Sequence, residues 1–148
     1  MILFRPRRAW LLGRIGVTTI LLSVVIKCRP LPATLTFFSV AADDDGRAPG
    51  PSDSELVTAV DAVLGMDILM FRPVCWKRAI LLHRLLGLQG YATTIVFGVR
   101  ASAKEQIAGH AWVERAGIPM FESTPPDYVV TYRFPSTASC DVDLRQIS

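Results

Sequence analysis

Histidine and cysteine are scarce in this chain, with two of the first and three of the second among 148 residues. The cysteines, Cys28, Cys75 and Cys140, are an odd number without a close pair, which removes a disulfide framework and a zinc knuckle. Reduced thiols fit a cytoplasmic location, which is therefore expected. Charge of one sign is thin as well. Sixteen Lys+Arg against thirteen Asp+Glu leave a formal +3, too small an excess to argue for a nucleic-acid surface. No interval repeats, and neither a Gly-rich phosphate loop nor a zinc-helix motif occurs, so no cofactor and no metal is expected. With 51% hydrophobic and 20% charged residues, one real core is expected rather than wholesale disorder.

What is present divides into four stretches. Residues 1–40 read as an N-terminal helical segment: Arg5, Arg7 and Arg8 open it, an apolar run from Ala9 to Ile26 surrounds Arg14, and Lys27, Cys28, Arg29 and Pro30 close the run. A signal peptide fits the basic start, but Lys27 and Arg29 stand where small residues should mark cleavage, and Lys27 also disfavours a lipoprotein cysteine at Cys28. A membrane span would be short of the ~20 residues a bilayer needs, with Arg14 costing roughly 2.5–3.5 kcal/mol at mid-depth. The remaining reading is a helix that covers a core, a partner or a membrane surface, with Arg7, Arg14 and Lys27 kept at its edge by long stems. Peripheral membrane contact stays open on that reading.

Residues 41–51, with Asp43-Asp44-Asp45-Gly46 and Pro49-Gly50-Pro51, cannot bury anything and read as an exposed linker. The core is expected over 52–136 and a loose tail over 137–148. A helix starts at Ser52 or Ser54, with Asp53 and Glu55 suiting the dipole and Leu56, Val60, Val63 and Leu64 on one stripe, and Gly65 ends it. A second runs from about Pro73 to Leu86. Cys75, Ala79, Leu82 and Leu86 share its buried face, while Lys77, Arg78 and Arg84 look outward. Tyr91 to Val99 reads as a strand covered on both faces, and Arg100 to Gly109 as a polar connection. His110 to Glu114 alternates, with His110, Trp112 and Glu114 on one face; a three-residue loop Arg115-Ala116-Gly117 leads to a partner strand, Ile118 to Glu122. Another short strand is expected from Tyr128 to Phe134.

Two histidines make the search for chemistry small. His83 and Cys75 on one helix are separated by roughly 12 Å of rise, so His83 reads as a solvated surface residue. His110 is the better candidate for a base. In the expected hairpin register Glu114 faces Ile118, Trp112 faces Met120 and His110 faces Glu122, which brings a carboxylate to the imidazole as its orienter. Cys75, at a helix N-terminus, has unpaired N–H groups that stabilise a thiolate and can later receive an oxyanion. A helix bearing the thiol, packed on an antiparallel sheet bearing His and a carboxylate, is an α+β arrangement of the papain-like and transglutaminase-like kind. The plain alternative is a buried free cysteine and a surface His–Glu pair.

The segment Pro73-Val74-Cys75-Trp76-Lys77-Arg78-Ala79, then Leu81-Leu82, Leu85-Leu86-Gly87, Ile95-Val96-Phe97-Gly98-Val99 and His110-Ala111-Trp112-Val113-Glu114, resembles the transglutaminase-like protease of lasso-peptide biosynthesis, the B protein or its stand-alone C-terminal half. The resemblance covers roughly Ser54 to Glu122. It implies a cysteine peptidase that cuts the leader from a ribosomally made precursor so that a separate lasso cyclase can close the ring. On that resemblance Cys75 is the nucleophile and His110 the general base and acid. The family's third residue is usually an aspartate; here Glu122 holds that position, with Asp127 the alternative. Fused members of that family carry a small leader-binding domain ahead of the protease; the first fifty residues here show no strand-rich module of that kind, so a separate recognition protein is expected. Trp76 and Trp112 flank the candidate residues and are candidates for lining the substrate pocket, packing being the alternative. Two other functions stay open: a different transglutaminase-like amide hydrolase or acyl transferase, and a catalytically silent peptide-binding scaffold of the same fold.

Overall fold

The computed structural model describes residues 6–40, 50–66, 75–101, 107–122 and 127–135. Pro73, the linker up to Pro49, Pro125-Pro126, the tail and Cys140 lie outside the described residues, as does the middle of the Arg100–Gly109 connection.

The N-terminal segment folds as two helices, α1 (Pro6–Cys28) and α2 (Leu31–Phe38). They part at Pro30, which is extended at φ −63°, ψ 154° and accepts the first backbone bond of α2 from Thr34 N–H (3.0 Å). Along α1 the buried residues Leu11, Ile15, Thr19, Leu22 and Ser23 recur at three- and four-residue steps. Thr19 and Ser23 enter that face at little cost, because each hydroxyl donates to the carbonyl four residues back, at 2.8 and 2.9 Å. Helix α3 (Asp53–Leu64) starts with a reciprocal cap: Glu55 N–H donates to Ser52 Oγ (3.3 Å) and Ser52 N–H to Glu55 Oε2 (3.0 Å). Its stripe Leu56, Val60, Val63 and Leu64 is buried as expected. Helix α4 (Cys75–Gly87) carries the middle of the core through Ala79, Leu82 and Leu86.

Four antiparallel strands follow: β1 (Thr94–Ala101), β2 (Ile107–Arg115), β3 (Ile118–Met120) and β4 (Val129–Phe134), in the order β3-β2-β1-β4. Pairing puts Ile95 opposite Val113 and Phe97 opposite Ala111 on the face that joins the helical core. Val96 lies opposite Trp112 and Gly98 opposite His110 on the other face. Strand β1 is thus covered on both sides, and it extends two residues beyond Val99 before the connection begins.

Leu11, Ile15 and Leu22 of α1 and Leu35 and Phe38 of α2 belong to one apolar cluster with α3, α4 and the sheet. At the far end of the linker, Gln89 Nε2 donates to Pro51 O at 2.7 Å, tying the entry to α3 onto the turn after α4. Leu22 has no exposed surface. Leu22→Ala is expected to cost about 2–5 kcal/mol of stability, measured by urea unfolding; a change within about 0.5 kcal/mol would mean that α1 is not part of the core.

Three expectations are corrected. Lys77 does not look outward but is buried between α4 and α1, where its ammonium donates to Ser23 Oγ (3.2 Å) and lies 5.6 Å from the Trp76 ring centre. Burial, and after it the charge of Lys27, pulls the Lys77 pKa below its ordinary value. Arg78 and Arg84 are half-buried rather than outward. His83 is buried too: Nδ1 is 2.8 Å from Thr93 Oγ1, Nε2 is 3.3 Å from Ser39 Oγ, and the Phe134 ring stands edge-on 6.2 Å away. The helix is covered on more of its circumference than a one-stripe reading allows, since α1 and α2 pack on it as well as α3 and the sheet.

The third correction is the hairpin. Its loop has two residues, Ala116 and Gly117, at φ 51° and 77°, as a turn matched to strand twist requires. Arg115 pairs with Ile118, Glu114 with Pro119 and Val113 with Met120, one residue away from the expected register. Ala-Gly is not the Asn-Gly that announces such a turn.

Candidate functional site

In the observed register a continued β3 would set Glu122 opposite Ala111, on the core side and away from His110. The strand stops at Met120 instead, and Phe121 takes φ 62°, a left-handed conformation uncommon for a bulky residue. That single residue breaks the alternation. Glu122 Oε2 comes to 3.2 Å from His110 Nε2, so the expected pair is present although the register that predicted it is not.

The other oxygen of Glu122 leads to α4. Arg78 Nη1 is 3.6 Å from Glu122 Oε1, and Arg78 Nε donates to Asp61 Oδ1 of α3 at 2.8 Å, with Nη2 at 3.4 Å from Oδ2. Arg78 stands one turn after Cys75, on the same side of the helix. The chain Asp61–Arg78–Glu122–His110 therefore ties the first turn of α4 to the end of β2 that carries the imidazole. Cys75 is the first residue of α4 and half-buried against the core, and its thiol is free. Among the described residues no hydrogen bond joins Cys75 to His110. Asp127 is exposed, and nothing links its carboxylate to His110 among the described residues.

The imidazole is held by rings on its other sides. Trp112 is near-parallel to it at 5.8 Å and Tyr128 lies 5.3 Å away. Gly98, opposite His110, makes that stack possible: a Cβ there would lie 2.8 Å from Tyr128 Cβ and 3.0 Å from two Trp112 ring atoms. Trp112 is buried and donates through Nε1 to Glu114 Oε1 (2.9 Å), and Arg133 Nη1 donates to Glu114 Oε2. Trp112 is thus a packing residue beneath the imidazole. Trp76, half-buried, keeps an open side. Sequence reasoning missed Arg78, Tyr128 and Glu114; only Glu114 had a signal, its alternation with His110 and Trp112. Among the described residues no group of three or more His, Cys, Asp or Glu could hold a metal ion.

A helix whose first residue is a free cysteine, beside a four-stranded antiparallel sheet carrying a His–carboxylate pair, is an arrangement that family comparison can test. The profile of the transglutaminase-like superfamily matches residues 18–133. The chain belongs to the transglutaminase-like superfamily. Its α+β fold is accordingly that of papain-like hydrolases and acyltransferases. The matched span begins inside α1 and ends within β4. Comparison with curated proteins and with solved structures finds no match.

His83 lies outside this site. Burial pushes its pKa down from 6.5 to about 4. Below pH 6.5 the unfolded chain takes up a proton that the folded chain refuses, so stability is full above that pH and falls as pH drops toward 4. The expected loss is about 3 kcal/mol across that window. Urea midpoints at a series of pH values check this, and His83→Gln should flatten the profile between pH 6.5 and 4; an equally steep profile in the variant would assign the titration to other groups.

Proposed function

We propose that this protein is a cysteine peptidase that removes the leader from a lasso-type precursor peptide, with Cys75 as nucleophile, His110 as general base and acid, and Glu122 as the residue that orients His110. The observation that carries the reading is the His110–Glu122 pair, joined through Arg78 to the helix turn that begins with Cys75. The resemblance of the Cys75 helix and the His-Ala-Trp-Val-Glu strand to the lasso-peptide B protein supplies the substrate class.

With Nε2 turned to Glu122, Nδ1 is the ring nitrogen left to take the thiol proton. The Cys75 sulfur then attacks the scissile carbonyl carbon, and the backbone N–H groups of the first turn of α4 are the donors this reading assigns to the oxyanion. Collapse breaks the C–N bond; His110 gives its proton to the departing amine of the core peptide, leaving the leader as a thioester on Cys75. Water, deprotonated by His110, hydrolyses that thioester and restores the thiol. No cofactor enters. A separate recognition protein delivers the precursor, and a cyclase consumes the freed core peptide.

The test mixes the protein, a lasso precursor and its leader-binding protein, and follows free leader by mass spectrometry. Intact precursor at all times would overturn the peptidase reading. The glutamate in place of the family's aspartate favours a second reading, a silent scaffold of the same fold; precursor binding without any cleavage is its signature. Leader appearing as an adduct with an added amine, rather than as the free acid, would point to acyl transfer.

A further inference from the structure

The outer face of α1 is apolar, and among the described residues no element packs on it. Trp10, Val17, Ile20, Leu21 and Val24 are all exposed there, opposite the buried Leu11–Ile15–Leu22 face. From Trp10 to Val24 the stripe runs about 21 Å along the helix. The charges on the segment that carries it have one sign. Residues 1–42 contain six basic and no acidic residues, and all thirteen acidic residues of the chain come later. Arg7 and Arg8 stand exposed at one end and Lys27 and Arg29 at the other. Arg14 and Lys27 fall on opposite margins of the stripe, and Arg14 lies over the Trp10 ring at 5.3 Å.

The helix is longer than the apolar run read from the sequence, and by length and composition the stretch from Arg7 to Cys28 is enough to cross a bilayer. Its other face argues against crossing. Leu22 is fully buried in the core and Lys77 Nζ is bonded to Ser23 Oγ, so insertion would strip both from the protein. A helix held on one side, apolar on the other and edged with cations can lie in the headgroup plane without unfolding anything.

We infer that the outer face of α1 docks this protein in-plane on an anionic lipid surface. Trp10 sits at the headgroup boundary, the Val17–Leu21–Val24 ridge enters the acyl layer, and the flanking cations meet lipid phosphates. The surface is separate from the catalytic site, and the proposal stands or falls without it.

The full-length protein is sedimented with vesicles of phosphatidylglycerol and phosphatidylcholine, and with phosphatidylcholine alone. Binding to the anionic vesicles at least about tenfold tighter than to the neutral ones, weakened by salt, is expected. Leu21→Glu should cut it about tenfold or more while the urea midpoint stays near wild type; should Leu21→Glu not fold, Val17→Glu, at a more exposed position, takes its place. The pair Arg7→Gln and Arg8→Gln, both at exposed positions, should weaken binding to anionic vesicles alone. Equal binding to both vesicles, or none, would overturn the proposal. So would retention after alkaline carbonate, which signals a span, or lipid-free self-association abolished by Leu21→Glu, which signals a second copy as the occupant.

Discussion

Cys75→Ala is expected to lower leader release by at least about a thousandfold, to the level of the uncatalysed reaction in the assay. The size follows from the proposed chemistry, in which the sulfur forms the thioester and His110 with Glu122 activates it; without the sulfur that route is closed. Stability should change little, since Cys75 is only half-buried and alanine suits a first helical turn. Precursor binding should persist in the variant, which separates lost chemistry from lost recognition. Cleavage that continues undiminished in Cys75→Ala would remove Cys75 from the mechanism.

Glu122→Gln is the second large effect, a fall in kcat of roughly a hundred- to ten-thousandfold. The amide keeps the shape but removes the charge that favours the imidazolium, and an amide NH₂ turned toward Nε2 would hold the wrong tautomer. Arg78 would then keep only Asp61 as its partner carboxylate among the described contacts. Asp127→Asn, at an exposed position, should stay within about threefold of wild type. The readout is single-turnover cleavage across pH: in Glu122→Gln the acid limb of the profile should move along with the rate, whereas a purely structural role would lower the amount of active protein and leave the profile in place. The opposite ranking of Glu122 and Asp127 would transfer the orienting role to Asp127.

Much of the fold was legible in the sequence because local rules and the core agree there. Ser52 with Glu55 announces α3, and Leu56, Val60, Val63 and Leu64 repeat at helical spacing on its buried side. Trp112 and Glu114 alternate with Ala111 and Val113 in β2, and the Trp112–Glu114 hydrogen bond confirms their common face. What escaped was non-local. Neither Lys77 nor His83 carries a mark of burial in its own stretch; α1 buries the first, and Ser39, Thr93 and Phe134 enclose the second. The His110–Glu122 pair was reached through a hairpin one residue out of register, and Phe121 restores by its φ what the shorter turn removes. A positive φ on phenylalanine has no sequence signal. Arg78 was legible as a cation on α4 but not as the bridge between two carboxylates, because α3 and Glu122 meet it only in three dimensions.

The ammonium plugged into α1 has a practical consequence. Lys77 is two residues from Cys75, so its hydrogen bond to Ser23 Oγ ties the first turn of α4 to α1. A shortened version starting after Cys28 would remove Leu11, Ile15 and Leu22 from the core and open the apolar side of α4 to water, so trimming for expression should stop before Pro6. Tags and fusions belong ahead of that proline, where they lengthen the protein without pulling out its wedge.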